Sequence, residues 1–118
     1  MKNAKLENGK YIYVFQNEIG NVKNGVSKNP KQRLKALENQ TGVRIINTFT
    51  TPQCSNSLEI EKLIHKEFKN KTIFGEWFNI SFGYAVDMLK EYFKKTAKFE
   101  ERKSNSLNIV KYFHPELF

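Results

Sequence analysis

Arg33, Glu61 and His65 are side chains in this 118-residue chain whose types and positions could do chemistry. Arg33 follows Asn29-Pro30-Lys31-Gln32, which reads as a helix start. Asn is a good N-cap, Pro is preorganised for the first helical position, and Gln32 stands where a capping-box partner belongs. A cation in the first turn opposes the helix dipole. That local cost fits a residue held for phosphate, whose geometry the planar guanidinium fork matches. Glu61 and His65 lie one helical turn apart, on one side of a helix and within reach of each other. Cys54 sits in the loop-like stretch Thr51-Pro52-Gln53-Cys54-Ser55-Asn56 with no base nearby in sequence, which argues against a catalytic thiol.

The elements that must position these residues follow from periodicity. Tyr11-Ile12-Tyr13-Val14-Phe15 alternates as a strand, three aromatics on one face and two aliphatics on the other. After a polar turn the chain resumes as Val22-Lys23-Asn24-Gly25-Val26-Ser27, the second strand of a hairpin, weakened by Asn24 and Gly25. The helix that starts at Asn29 carries Arg33, Leu34 and Leu37 and ends near Gly42. Val43 to Thr50 is β-rich and predicts a third strand, closed by Pro52. A second helix runs from Asn56 or Ser57 to about Asn70, with Ile60, Leu63, Ile64 and Phe68 as its apolar stripe. After the box Gly75-Glu76-Trp77-Phe78-Asn79-Ile80, a third helix begins near Ser81 on a stripe of Ala85, Val86, Leu89, Tyr92 and Phe93. The pattern predicts an α/β (α+β) domain over residues 8–98, a small three-stranded antiparallel sheet with flanking helices. Residues 99–118 read as a charged linker and an apolar C-terminal tail, 107–118, packing on the core or on a second protomer.

Composition narrows the function classes. Lys and Arg number 20 against 12 Asp and Glu, a formal charge of +8 that favours polyanionic partners through counterion release. One cysteine cannot form an internal disulfide, so a reducing, cytoplasmic compartment is expected. No apolar run is long enough to cross a bilayer, so no membrane partner is expected. The Lys90, Lys94, Lys98 row reads as a solvated helix face, and His114 has no partner in the pattern.

Four motifs occur in a recognisable order: Tyr11-Ile12-Tyr13, Val22-Lys23-Asn24-Gly25-Val26-Ser27, Glu61-Lys62-Leu63-Ile64-His65-Lys66-Glu67-Phe68 and Gly75-Glu76-Trp77-Phe78. Together with Arg33 they resemble the GIY-YIG endonuclease superfamily over residues 10–80, and most closely its small phage and viral branch. The resemblance implies hydrolysis of a DNA phosphodiester with a single Mg²⁺ or Mn²⁺ ion. Glu61 would hold the metal, Arg33 the phosphate, and Tyr13 with Lys23 the attacking water; His65 would be a neighbouring partner or a phosphate contact. Lys23 stands where many members have a second Tyr, and could contact phosphate or lower the Tyr13 pKa. Tyr11, Glu76 and Asn79 are further candidates for substrate contact, the box lying near where the wider family places an organising Asn. Phosphoryl chemistry asks for these types: positive charge for the transition state and a hard oxygen ligand for the ion. Asn24 departs from the family's aliphatic residue, and a buried Asn must find hydrogen-bond partners. Two other readings remain: a catalytically silent module binding nucleic acid or protein, and a small viral protein that blocks a host factor through its tail. A homodimer through that tail is a further expectation.

Overall fold

The computed structural model describes residues 9–99. The linker from residue 100, the tail 107–118, His114 and Asn8 lie outside the described residues, as do the tail-mediated dimer and host-factor contacts expected of them. The elements run β1 (Tyr11–Asn17), β2 (Val22–Ser27), α1 (Pro30–Thr41), β3 (Ile45–Thr50), α2 (Ser57–Glu67), β4 (Thr72–Phe74), β5 (Trp77–Phe78) and α3 (Phe82–Thr96). A 3₁₀ turn, Lys69–Lys71, joins α2 to β4, so the second helix stops earlier than its apolar stripe suggests.

The strands form one antiparallel sheet in the order β3-β1-β2-β5-β4. Its three long strands are those expected from the sequence; β4 and β5 are an addition made by the box. Strands of three and two residues carry no readable alternation. Their turn passes through Gly75 at φ 54°, a left-handed position that glycine adopts without a Cβ clash.

Strand β1 divides its side chains between two cores. Ile12, Val14 and Val22 face α2 and α3 and pack with Ile60, Ile64, Phe68, Phe78, Ala85, Leu89 and Phe93. Tyr13 and Phe15 face α1 and pack with Leu37 and Trp77. Burying both faces of β1 explains why its run from Ile12 to Phe15 is wholly apolar or aromatic. The β1–β2 turn is held by Asn17, whose Oδ1 accepts from the amides of Ile19, Gly20 and Asn21. Helix α1 is capped as its sequence indicates: Asn29 Oδ1 accepts from the Gln32 amide, Pro30 opens the first turn, and Gly42 closes the helix at φ 73°. Ser81 caps α3 in the same way, accepting from the Tyr84 amide.

Candidate functional site

The site is built where β2 loses its neighbour. Strand β5 covers β2 only at Val22 and Lys23. Beyond them the outward carbonyl of Asn24 has no strand to bond. His65 of α2 fills that position, its Nε2 lying 2.9 Å from the Asn24 oxygen. A carbonyl only accepts, so Nε2 carries a proton and donates, which leaves Nδ1 as the ring's other nitrogen. The His65 ring also tilts against Phe78, 5.3 Å between centroids. One turn earlier, Glu61 Oε2 lies 3.9 Å from His65 Nε2. Through the gap beside β2, α2 thus brings a carboxylate and an imidazole up to the sheet's α1 face.

On that face Tyr13 is almost fully buried, stacked on Phe15 with centroids 4.1 Å apart. Its ring lies over Gly25, the residue directly across the β1–β2 ladder. A Cβ on Gly25 would come within 2.6 Å of Tyr13 Cζ, so only glycine leaves room for the ring. The Gly25 that weakens β2 by propensity therefore creates the seat for Tyr13. Arg33 reaches over from α1 and donates from Nε to the Tyr13 hydroxyl at 3.4 Å. No ion pair among the described residues uses Arg33, so its outer nitrogens keep their charge for a ligand.

Lys23 is on the same face and is 5% exposed. Its Nζ makes a 2.9 Å salt bridge to Glu76 Oε1 and lies 5.6 Å from the centre of the Trp77 ring, its cross-strand partner. A buried ammonium needs such a partner. The cation beside the Tyr13 hydroxyl is therefore Arg33, while Lys23 is committed to Glu76. A neighbouring cation does pull the Tyr13 pKa down, but it is Arg33 and not Lys23, and the net shift is upward. Burial raises it above 10.0, the pull of Arg33 is smaller, and Glu76 and Glu61 add to the rise. Burial likewise raises the Glu61 carboxyl above 4.5; His65 and Lys23 oppose the rise and Glu76 adds to it.

Glu61, His65 and Glu76 each offer one ligand atom, all within 4.8 Å of one another. Ions with bonds of about 2.0–2.2 Å need donors slightly closer than that, a contraction side-chain rotation supplies. Two carboxylates and an imidazole suit a divalent ion, and the imidazole suits ions that accept nitrogen better than Mg²⁺ does.

Asn24 lies on the other face by strand alternation, fully buried. Its Nδ2 donates to the Tyr13 carbonyl at 3.0 Å, and its Oδ1 is without a partner among the described residues. It ties β2 to β1 behind the face that carries Tyr13 and does not fill that face.

The structure thus brings together Tyr13, Lys23, Arg33, Glu61, His65 and Glu76. Asn79 stands apart: its amide donates to Lys71 and it lines a separate pocket with Glu67, Phe68 and Tyr84. Tyr11 lies two residues along β1 from Tyr13, on the same face, beside a groove of its own. Trp77, buried in the core on the α1 side, is also the ring beneath the Lys23 ammonium. The charge of Lys10 is felt at Glu61, a proximity no local motif signals. Cys54 is buried and its thiol is pushed up to about 11, so it stays protonated. No helix among the described residues is long and apolar enough to cross a membrane.

A protein of Escherichia phage T5 with the name "Putative endonuclease" is 33% identical over 70 residues, 57% of this chain and 25% of that protein. The chain thus matches about a quarter of its relative's length. No solved structure matches it significantly. The sequence profile of the T5orf172 domain matches residues 10–97, so the chain belongs to the T5orf172 domain family.

Proposed function

We propose that this chain is a metal-dependent endonuclease of the GIY-YIG type that hydrolyses phosphodiester bonds in DNA, its working unit being residues 8–98. The observation that carries the reading is the meeting of two groups on one face of the sheet. An unpaired guanidinium touches a buried tyrosine hydroxyl, and the charges of Glu61 and Glu76 reach that same hydroxyl. The name of the phage T5 relative supports the same reaction class.

Each residue has a task its geometry suits. Arg33 takes two phosphoryl oxygens with its outer nitrogens, since Nε is engaged by Tyr13. Tyr13 accepts from Arg33, so its own proton points away and can be donated to the attacking water or to a phosphoryl oxygen. Its raised pKa keeps that proton in place at neutral pH, making it an orienting donor rather than a base. His65 holds Nε2–H on the Asn24 carbonyl, which leaves Nδ1 as its one nitrogen able to ligate an ion. Lys23 is a positioning residue that fixes the Glu76 carboxylate. Glu61, with His65 and Glu76 beside it, would hold one Mg²⁺ or Mn²⁺ ion, which supplies Lewis-acid stabilisation of charge developing on the phosphoryl oxygens.

Incubation of the purified protein with plasmid and with single-stranded DNA, with and without Mg²⁺ or Mn²⁺, tests this directly. Cleavage that requires the ion and disappears in Glu61→Gln is expected. The absence of any Glu61-dependent cleavage overturns the enzymatic reading, and DNA binding without cleavage would then identify a silent binding module.

A further inference from the structure

A second feature of the α1 face lies outside the catalytic cluster. A groove of about 350 Å³ opens beside the start of α1, lined by Tyr11, Lys28, Asn29, Pro30, Lys31 and Thr50. That volume is in the range of pockets that take a small organic ligand. Its chemistry is one-sided: an aromatic ring and a proline supply apolar walls, two exposed lysines supply charge, and no carboxylate lines it. Neither Lys28 nor Lys31 enters an ion pair among the described residues. The helix terminus itself contributes little, because Asn29 already occupies the Gln32 amide. What the groove offers is side chains.

Its position relative to Arg33 and Tyr13 gives the groove its meaning. Tyr11 and Tyr13 share one face of β1, and two strand residues span about 7 Å. Thr50, directly across from Tyr13 on β3, forms part of the groove wall. Arg33 is one helical turn beyond Asn29, its amide bonded to the Asn29 carbonyl. A phosphate held by Arg33 therefore has the groove about one extended nucleotide away along the same strand of nucleic acid.

We infer that this groove is the subsite for an unpaired DNA nucleotide adjoining the phosphate held by Arg33, its base stacked on Tyr11 and its own phosphate held by Lys28 and Lys31. The inference rests on the nuclease reading for the phosphate at Arg33, and it adds that the substrate presents an unstacked base at the site. A base in an intact duplex is stacked on both faces and cannot lie on Tyr11; single strands, flaps and frayed ends present one freely.

Binding in EDTA separates this claim from catalysis. Single-stranded oligodeoxynucleotides are titrated with wild-type protein and variants, read by fluorescence anisotropy at several salt concentrations. Tyr11→Ala is expected to raise Kd about tenfold, while Tyr11→Phe stays near wild type. Lys28→Ala/Lys31→Ala is expected to make the log Kd–log salt slope shallower by about 0.7, the contribution of one single-strand phosphate contact. Lys94→Ala/Lys95→Ala, on the helix covering the opposite face, should change the slope less. Moving one abasic nucleotide along the oligonucleotide should find a position at which wild type and Tyr11→Ala bind equally. The lysine pair is exposed, so its variant reports on binding even if Tyr11→Ala folds poorly.

No binding by the wild type overturns the inference. So does a lysine-pair variant no different from the Lys94/Lys95 control, or the absence of any abasic position that couples to Tyr11. Should the pattern appear in a protein that never cuts, the groove stands and the catalytic reading falls. Glu61-dependent cutting with Tyr11 and the lysines silent gives the reverse.

Discussion

Burial at Glu61 sets fold and site against each other. The raised carboxyl pKa means that the folded protein prefers the protonated form, burial being the main cause, with His65 and Lys23 only partly compensating and Glu76 adding to the rise. The stability this preference contributes is complete below the unfolded value of 4.5 and is lost as pH rises through the folded value. At pH 7 the ionised Glu61 is therefore a cost to the fold. Glu61→Gln is expected to melt at or above the wild-type temperature at pH 7, with the difference closing below pH 4.5, while losing at least about 10²-fold in cleavage. Thermal melts across pH check the first part and plasmid nicking the second. Tyr13 calls for the opposite pH test. Because its pKa lies above 10.0, its protonation does not change between pH 6 and 9. Tyr13→Phe should lower the rate by a constant factor of about 10²-fold over that range and leave the shape of the pH–rate profile unaltered. A change of shape would show that the hydroxyl ionises during turnover. Gly25→Ala should disturb the same ring by a different route, driving it off Phe15 at a cost of about 1–3 kcal/mol in stability, read by chemical denaturation.

The box shows how short elements position long-range partners. Strands β4 and β5 hold Glu76 and Trp77 against Lys23, and their turn depends on Gly75 in a left-handed conformation. Gly75→Ala should cost about 1–2 kcal/mol in stability. If the hairpin shifts with it, metal affinity measured by Mn²⁺ titration should fall as Glu76 leaves Glu61 and His65. An unchanged Mn²⁺ affinity would remove Glu76 from the donor set. This is also where the sequence was least legible. The caps of α1, the alternation of β1 and the stripes of α2 and α3 are local patterns, and each element lies where its pattern places it except that α2 ends at Glu67, short of Asn70. The Lys23–Glu76 pair joins residues 53 apart, and the extra strands are too short to show a period. Arg33 and Glu61 could be singled out from residue type and helical position. That Arg33, and not Lys23, stands beside Tyr13 depends on which face β2 turns to α1 and on Glu76 claiming the ammonium. Neither is written in any single motif. Asn24 was conspicuous by its polarity, yet its partner is a backbone carbonyl across the ladder, which no side-chain pattern encodes.

At the scale of the whole molecule, charge and fold are nearly independent, and salt can separate them. The formal charge is +8, whereas the Lys or Arg ion pairs among the described residues are Lys23–Glu76 and the exposed Lys95–Glu91. Exposed pairs contribute little to stability, and the Lys23–Glu76 contact is shielded on its lysine side. The fold is held instead by two apolar layers on either side of the sheet, which salt does not weaken. On the proposed reading, DNA binding has the reverse dependence. Contacts from Arg33 to one phosphate and from the Lys28–Lys31 pair to the next would give a log–log slope of about −1.4, so raising salt from about 50 to 200 mM should weaken binding about sevenfold. Melting temperature should change little over the same range. If the phosphates are held only in the encounter and ground-state complex, kcat/KM should fall with affinity while kcat at saturating DNA holds steady. A kcat that also collapses would mean that screening reaches the Arg33–Tyr13 contact itself, placing that contact in water rather than in the buried setting from which its strength is argued.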